Sequence, residues 1–435
     1  MNLLSKNIGT KKVVAGIALI VGVAFAVSTG GNTNEKISDG QYQFVRTTGI
    51  TEGGYPLPLT GEVLTNDHIV VKDEGASLRN YPEIYIPGTE PLGEDEMRIV
   101  CLGSGNPAIR IGQASTGWAV ELGNGEKFVF DIGGGTVGNL WSLGSSPAEW
   151  DKLFISHLHL DHVGGIFGMF DAMGWSRNVP LQVWGSSGAT EENGTAAFVE
   201  NVQNASSWHV ESKTGIAPSE GMTMVAHEFD YTEFTEGNPD LLIYDENDVK
   251  VYAYPVLHTI VGSVGYRLEW NGLSMSFSGD TEPSTLVAQQ SEGVDVFIHE
   301  SFISADAFAE KNNVSMEIAE NVVEGAHTTP ETLGMLFDIA QPTLGVATHY
   351  SLDDDLVDPF FDAIETTYVG PVAIAQDMMV INVTPEQIVS RMSMPNHLSW
   401  PEPAPETEGE HTIEELSDQI RPDWITETRI YRDEI

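Results

Sequence analysis

Short apolar runs separated by glycine-rich turns fill the chain from residue 97 onward. Apolar or alternating runs of about four to eight residues, bounded by Gly, Asn or Asp, are typical of β-strands. Such runs predict strands at residues 97–102, 118–122, 127–131, 152–156, 181–184, 249–256, 264–270, 273–278, 294–299 and 344–348. Stretches with helical spacing predict helices at residues 196–204, 284–290 and 330–339.

The order of these elements predicts one large domain over residues 97–392. Roughly 290 residues are ample for one continuous hydrophobic core. Two strand-rich halves with helices outside them predict an α+β or α/β fold, arranged as a four-layer αβ/βα sandwich. Residues 27–96, rich in Gly, Asn, Thr and Pro, are expected to form an irregular N-terminal extension, and residues 393–435 an acidic, proline-rich C-terminal tail.

The N-terminus has the features of a secretory signal. Lys6, Lys11 and Lys12 precede an apolar run at residues 13–27, and residues 24–26 read Ala-Phe-Ala, a small-residue cleavage pattern. The 15 residues of this run are fewer than the about 20 that a membrane-spanning helix needs. Residues 1–26 therefore predict a signal peptide and a periplasmic or secreted bacterial protein, with an uncleaved membrane anchor as the alternative.

The chain is strongly acidic, with 64 Asp and Glu against 20 Lys and Arg and a formal net charge of −44 at pH 7. Removal of residues 1–26, which hold three lysines and no acid, would change this charge to −47. Nucleic-acid binding normally depends on Lys and Arg that neutralise phosphates. No basic run follows the N-terminal segment, so we expect no nucleic-acid partner. The single cysteine, Cys101, lies in an apolar run and predicts a buried thiol rather than a disulfide.

Four side chains that can bind metal fall within six residues, directly after a predicted strand. The segment reads His157-Leu158-His159-Leu160-Asp161-His162. Side chains at i and i+2 of an extended segment point to the same side, so His157 and His159 can bind one cation. Asp161 and His162, at the start of the next helix, can turn toward a second cation. Imidazole and carboxylate ligands suit zinc, and also iron or manganese.

This segment resembles the metal-binding signature of the metallo-β-lactamase-fold hydrolases. Further motifs follow in the order found in the ribonuclease Z-like branch of that family. They are Leu102-Gly103-Ser104-Gly105, Phe130-Asp131-Ile132-Gly133, Pro255-Val256-Leu257-His258, Ser263-Val264-Gly265-Tyr266-Arg267, Phe277-Ser278-Gly279-Asp280-Thr281, Ile298-His299-Glu300-Ser301, Ala326-His327-Thr328-Thr329 and Thr348-His349-Tyr350-Ser351. The resemblance covers about residues 97–392 and implies the metallo-β-lactamase fold.

The resemblance also implies a dinuclear metal site. It assigns the first metal to His157, His159 and His258 and the second to Asp161, His162 and His349, with Asp280 bridging both. A water or hydroxide would complete the bridge. Two divalent cations about 3.5–4 Å apart lower the pKa of such a water and stabilise the attacked group. We expect two divalent ions, zinc first, with manganese or iron as the alternatives.

Catalysis at such a site further needs a proton for the leaving group. His327 lies in a motif that resembles the one carrying the catalytic histidine of ribonuclease Z. Its alternative role is structural, because the following Thr-Thr-Pro is typical of a helix start. Glu300 is expected to orient His327 or a ligand histidine. The candidate catalytic residues are therefore His327, Asp161 and Glu300.

Within this branch, we expect a small-molecule substrate rather than RNA. His258 and Asp280 are only 22 positions apart, which leaves room for one hairpin instead of the long RNA-binding arm of ribonuclease Z. The runs at residues 85–90 and 280–283 resemble exported hydrolases of the guanitoxin-biosynthesis type, and ribonuclease Z-like arylsulfatases are another small-molecule relative. Arg267 is a candidate for orienting an anionic substrate and His299 for a role at the site, each with a structural role as the alternative.

The favoured hypothesis is an exported dinuclear-metal hydrolase that cleaves a small ester, namely a phosphodiester, a sulfate ester or a lactone. One alternative is a ribonuclease Z-type endonuclease that processes the 3′ end of tRNA. Another is a non-catalytic metal-binding protein of the same fold. The expected partners are the small ester and, as in related folds, a second copy in a homodimer. A membrane is expected only if the N-terminal segment stays uncleaved.

Overall fold

The computed structural model describes residues 69–73, 75–107, 110–174, 177–213, 220–351 and 353–395. In this part of the chain, ten strands form a first mixed sheet. They are β1 (Ile69–Val71), β2 (Ile84–Tyr85), β3 (Met97–Gly103), β4 (Gly117–Leu122), β5 (Lys127–Ile132), β6 (Lys152–Phe154), β7 (Leu181–Ser186), β8 (Met224–Phe229), β16 (Met379–Val383) and β17 (Gln387–Ser393). Their order is β1-β17-β16-β3-β4-β5-β6-β7-β8, and β2 also pairs with β17.

A second sheet contains seven strands. They are β9 (Leu241–Glu246), β10 (Val249–Pro255), β11 (Val264–Trp270), β12 (Leu273–Phe277), β13 (Val296–Glu300), β14 (Leu344–Thr348) and β15 (Val372–Ile374). Their order is β15-β14-β13-β12-β11-β10-β9, and β12 to β15 run parallel to one another. Because parallel strands end at the same edge, the loops that follow β12, β13 and β14 lie together.

Ten α-helices connect these strands in the described residues. They are α1 (Thr136–Trp141), α2 (Leu160–Val163), α3 (Ile166–Gly174), α4 (Thr195–Ala205), α5 (Ser207–Lys213), α6 (Thr285–Gln290), α7 (Ala305–Asn312), α8 (Met316–Val323), α9 (Pro330–Ala340) and α10 (Asp354–Glu365). Helix α9 begins with a capping box between Thr329 and Thr332 and has Pro330 in its first turn, which satisfies backbone groups that a helix start leaves free.

Three hydrophobic clusters fix how the sheets and helices are layered. The first lies between the two sheets and includes Phe130 and Phe154 from one sheet and Tyr266 and Phe277 from the other. The second packs helices α1, α3 and α4 on the outer face of the first sheet. The third packs α6, α8, α9 and α10 on the outer face of the second sheet. The four-layer αβ/βα sandwich that the sequence predicts is therefore confirmed.

The predicted central strands and the three predicted helices are present, with ends that differ by one or two residues. The pattern did not predict β15, β16 and β17, although these strands are almost wholly buried. It also did not predict β8 and β9, which lie at the free edges of the two sheets. Each of these two edge strands has one buried residue, Met224 or Tyr244, and both include acidic side chains. In the expected irregular extension, β1 and β2 are short strands that pair with β17.

The connection between β11 and β12 is a two-residue hairpin turn. Asn271 and Gly272 both have positive φ, at 49° and 78°. An Asn-Gly pair with this geometry is the preferred turn for a tight hairpin. The 22-residue interval between His258 and Asp280 is thus filled by this hairpin and its short flanking loops, as the spacing predicts.

Among the described residues, no helix is long and apolar enough to cross a membrane. The predicted signal peptide or anchor at residues 1–26 lies outside the described residues, as does residue 396 onward in the predicted C-terminal tail.

Candidate metal centre

The His157–His162 segment lies in the loop after β6 and continues into α2. His159 has an extended backbone and immediately precedes the helix, whereas Asp161 and His162 lie in its first turn. This change from extended to helical backbone sends the two pairs of side chains toward different points. The structure places His157 and His159 with His258, and it places Asp161 and His162 near a different partner histidine.

The first ligand group consists of His157, His159, His258 and Asp280, whose ligand atoms all lie within 4.8 Å of one another. Nδ1 of His159 is 3.0 Å from Nε2 of His157 and 3.2 Å from Nε2 of His258. Oδ2 of Asp280 lies 3.7 Å from Nε2 of His157 and 3.8 Å from Nε2 of His258. Three imidazoles and one carboxylate oxygen thus face one point.

The second ligand group consists of Asp161, His162, Asp280 and His349, all of them buried. Oδ1 of Asp280 lies 3.2 Å from Nε2 of His162 and 3.3 Å from Nε2 of His349. Oδ2 of Asp161 is 3.2 Å from the same nitrogen of His349. The two oxygens of Asp280 therefore face different groups, which is the arrangement expected of a carboxylate that bridges two cations.

Two atoms in the second group test whether a cation fits these residues. Nε2 of His162 and Oδ1 of Asp280 are buried and have no hydrogen-bond partner among the described residues. In the neutral form of His162 the proton lies on Nδ1, which faces Asp131, so that Nε2 and the carboxylate oxygen face each other with lone pairs. Buried polar atoms are rarely left without a partner in folded proteins. A divalent cation satisfies both atoms and offsets the buried charge of Asp280, so the donor set fits a metal ion.

The position of Asp280 depends on a glycine. Gly279 has a φ of 59°, and a Cβ at this position would lie 2.7 Å from Cβ of Ser156. Only glycine tolerates both this backbone conformation and this contact without strain. The loop after β12 therefore lies directly against the loop after β6, which brings the bridging carboxylate to the histidines.

Asp131, at the end of β5, contacts a candidate ligand histidine, and the sequence motifs located it without assigning it a role. Its Oδ2 accepts hydrogen bonds from Nδ1 of His162 at 2.7 Å and from Oγ of Ser156 at 2.6 Å. Its Oδ1 accepts one from the backbone N–H of Ser156 at 2.7 Å. A carboxylate behind a ligand histidine fixes the tautomer and the ring orientation. Its place at a strand end next to the metal motif was the signal that could have identified it.

Two other ligand histidines are held in the neutral form that metal binding requires. Burial lowers the pKa of His258 to about 4, and its Nδ1 donates a hydrogen bond to the carbonyl oxygen of Ala326 at 3.0 Å. Burial, together with the neighbouring His162, lowers the pKa of His157 well below its usual value. Both rings are therefore neutral at pH 7, with Nε2 available as a ligand atom.

His327 and Glu300 form a buried pair beside the metal ligands. Nδ1 of His327 donates a hydrogen bond of 2.9 Å to Oε1 of Glu300, and its ring stacks on Phe302 and His349 at centroid distances of 4.5 and 5.3 Å. Burial lowers the pKa of His327, but this effect is outweighed by the charge of Glu300 and the hydrogen bond to it. Together these effects raise the pKa of His327 to about 9. His327 is thus protonated at neutral pH, and its Nε2 is the nitrogen that Glu300 does not bind.

A model of the Anti-Pycsar protein Apyc1 family matches residues 97–320, which is more than half of the chain. The chain belongs to the Anti-Pycsar protein Apyc1 family. The matched region contains the His157–His162 segment, His258 and Asp280, whereas His327 and His349 follow it.

This Apyc1-family chain is also similar to curated ribonuclease Z proteins. It is 26% identical to ribonuclease Z of Methanothermobacter thermautotrophicus over 315 residues, which cover 66% of this chain and 97% of that protein. Among solved structures, the metallo-β-lactamase fold protein YhfI from Bacillus subtilis matches with 15% identity and a TM-score of 0.49, over 66% of this chain and all of that one. The short form of human tRNase Z matches with 18% identity and a TM-score of 0.49, over 65% of this chain and 98% of that chain. The predicted resemblance to ribonuclease Z-like proteins of the metallo-β-lactamase fold is confirmed, while the finer likeness to the guanitoxin-type and arylsulfatase-like hydrolases stays a prediction.

The sequence left the roles of Arg267 and His299 open, and their contacts in this Apyc1-family protein favour one role for each. Arg267 forms ion pairs with Asp240 at 3.0 Å and Glu269 at 2.8 Å, and it belongs to neither ligand group. His299 is fully buried and donates a hydrogen bond from Nδ1 to the carbonyl oxygen of Glu300 at 2.6 Å. These contacts favour the structural interpretation of both residues.

Proposed function

We propose that this chain is a dinuclear-metal hydrolase that cleaves a small ester, with a phosphodiester as the favoured bond. The observation that carries this proposal is the bridging position of Asp280, whose two oxygens face two separate ligand groups. The similarity to ribonuclease Z supports a phosphodiester, because a ribonuclease breaks that bond. A sulfate ester or a lactone remains the alternative substrate class.

The first cation would be held by His157, His159 and His258, the second by Asp161, His162 and His349, and Asp280 would contribute to both sites. Histidine with carboxylate is a donor set that suits zinc, and also manganese or iron. We propose zinc. When bound, two such ions supply a water of lowered pKa and a positive field at the attacked group.

The proton for the leaving group is assigned to His327. Glu300 accepts from Nδ1, so Nε2 carries the second proton of the imidazolium and can donate it to a departing oxygen. Glu300 thus orients His327 and stabilises its charged form, while Asp161 takes its catalytic part as a ligand at the second group. A non-catalytic metal-binding protein would not need this protonated histidine beside its ligands.

Ribonuclease Z activity is the second candidate, and the similarity to ribonuclease Z proteins favours it. Three features favour a small substrate instead. The net charge is −44, which repels a polyanion. The interval between His258 and Asp280 forms one short hairpin. The chain between His162 and His258 builds helices α3, α4 and α5 and edge strands of both sheets, and this segment is acidic.

Export to the periplasm or the medium is part of the proposal and is supported by the apolar run after Lys11 and Lys12. The expected partner is a small ester rather than a nucleic acid. A homodimer is proposed as the assembly.

The decisive experiment pairs metal analysis with a substrate panel. The purified chain is assayed with p-nitrophenyl phosphodiesters, p-nitrophenyl sulfate, lactones and a precursor tRNA, each at low and moderate salt. We expect close to two divalent ions per chain and turnover of a small diester. Efficient cleavage of the tRNA at its 3′ end, without turnover of any small ester, would overturn the proposal and establish the nuclease.

A further inference from the structure

His349, which follows β14, differs from two other ligand histidines in how its ring is oriented. Nδ1 of His162 is bound by Asp131, and Nδ1 of His258 by the carbonyl oxygen of Ala326. Nδ1 of His349 is buried and has no hydrogen-bond partner among the described residues. The backbone of His349 is left-handed, with a φ of 65°, a conformation that is uncommon for residues other than glycine. Apart from ring contacts with His327 and Phe302, the position of this ligand therefore depends on its backbone.

One carbonyl oxygen holds that backbone. The N–H groups of His349 and Tyr350 both donate to the carbonyl oxygen of Ser104, at 2.8 and 3.3 Å. The side-chain amide of Gln113 donates to the carbonyl oxygen of Tyr350 at 2.8 Å and to Oγ of Ser104 at 3.2 Å. The glycine-flanked serine after β3 is thus a support for the metal ligand.

Ser104 is in turn held by Asp377, in the connection between β15 and β16. Oδ1 of Asp377 accepts hydrogen bonds from both the backbone N–H and Oγ of Ser104, each at 3.0 Å. Oδ2 accepts from the backbone N–H of Ala114 at 2.6 Å and from the side-chain amide of Asn139 at 3.3 Å. One carboxylate therefore connects the loop after β3, the loop before β4 and helix α1.

We propose that Asp377 is a positioning residue for the second metal site, and that it acts on His349 through the carbonyl oxygen of Ser104. This inference rests on the proposed dinuclear site. Asp377 touches neither ligand group, and its effect is to keep Ser104 where it can hold the left-handed backbone of His349. Without that support, the backbone relaxes toward a less strained conformation, and Nε2 of His349 leaves its place beside Asp161 and Asp280.

Metal titration of the full chain tests this inference. Bound zinc per chain is measured over a series of buffered free-zinc concentrations for the wild type, Asp377→Ala and His349→Ala. We expect Asp377→Ala to keep one ion at wild-type affinity and to bind the second about 10–100-fold more weakly, the usual effect of losing a support behind a ligand. Asp377→Asn, which keeps the volume and one acceptor oxygen, should show a smaller loss and decides the question if the alanine variant fails to fold.

Asp295 provides a matched control. It is also a buried carboxylate that accepts a backbone N–H, from Ser274 at 2.9 Å, but it precedes β13, at the end of that strand opposite to Glu300. Asp295→Asn should lower stability without changing zinc binding.

The double variant Asp377→Ala/His349→Ala should bind zinc like His349→Ala alone, since residues that act through one another are not additive. Two ions bound at wild-type affinity in Asp377→Ala, or additive losses in the double variant, would overturn the inference and leave the proposed function intact. A wild type that binds fewer than two ions would instead contradict the proposed function.

Discussion

Asp131 and His162 are joined by a hydrogen bond of 2.7 Å between the carboxylate Oδ2 and the imidazole Nδ1, and both side chains are fully buried. The carboxylate therefore sets which nitrogen of His162 carries the proton, and it turns Nε2 toward Asp280. Burial lowers the pKa of His162, but the charges of Asp280 and Asp131 outweigh this effect and raise the pKa well above its usual value. A cation at this site must replace the second proton of the ring, so metal binding and protonation of His162 compete.

Loss of the Asp131 carboxylate should weaken zinc binding at the second ligand group selectively. We expect Asp131→Ala to bind the second ion about 10–100-fold more weakly, because the ring of His162 is no longer oriented. The measurement is competition for zinc against a chromogenic chelator. Asp171→Ala is the control, since Asp171 pairs with His209 and neither residue belongs to a ligand group. Equal zinc affinity in Asp131→Ala and the control would show that Asp131 has no part in the site.

Removal of the bridging carboxylate should disturb both sites. Asp280→Ala should hold fewer than two ions per chain and lose nearly all activity, because each oxygen of Asp280 faces a different ligand group. The check is elemental analysis after dialysis against a weak chelator. A preparation that holds one tightly bound ion and keeps full activity would disprove the dinuclear assignment.

His327 should affect the chemical step and not the metals. We expect His327→Ala to keep the wild-type metal content while kcat falls roughly 10²–10⁴-fold, the range for a lost acid–base group. The loss should be smaller for p-nitrophenolate, which leaves without a proton, than for an aliphatic alcohol. Kinetics on a pair of diesters that differ only in the leaving group measure this. Equal losses on both substrates, or loss of metal, would assign His327 a structural role.

Stability should depend on pH through Asp377. Burial raises the pKa of this carboxyl from 3.8 to about 6, in spite of the hydrogen bonds that it accepts. Because the folded chain binds this proton more tightly than the unfolded chain, the group makes the fold less stable as pH rises from about 4 to 6, with little change above. The wild type should therefore lose about 2–3 kcal/mol relative to Asp377→Asn between pH 4 and pH 7, at 1.36 kcal/mol per pKa unit.

Chemical unfolding of both proteins, treated with a chelator so that metal release at acid pH does not contribute, measures this difference. A difference in unfolding free energy that stays constant from pH 4 to pH 7 would show that Asp377 titrates normally in the fold.

The grouping of the candidate ligand histidines was predictable because they follow strands in short motifs. His157 and His159 are two positions apart, so local geometry alone brings them together. The supports behind the ligands were not predictable in the same way. Asp377 lies 273 positions from Ser104, and its partners include backbone groups that any residue type could supply.

Some strands were likewise predictable from the sequence, and others were not. Central strands such as β3 and β14 are buried on both faces and read as continuous apolar runs. The edge strand β8 reads Met-Val-Ala-His-Glu-Phe and is half exposed, so its pattern resembles that of a loop. Pairing with β7, rather than an apolar sequence, makes it a strand.

Each ligand group draws side chains from both halves of the sandwich. His157, His159, Asp161 and His162 follow a strand of the first sheet, and His258, Asp280 and His349 follow strands of the second. The proposed ions would therefore act as cross-links that tie the two halves together at one edge. A ligand that binds only the folded state raises stability in proportion to the logarithm of its concentration. The free zinc concentration in the compartment where the chain folds would then set the free energy needed to separate the two halves of the sandwich.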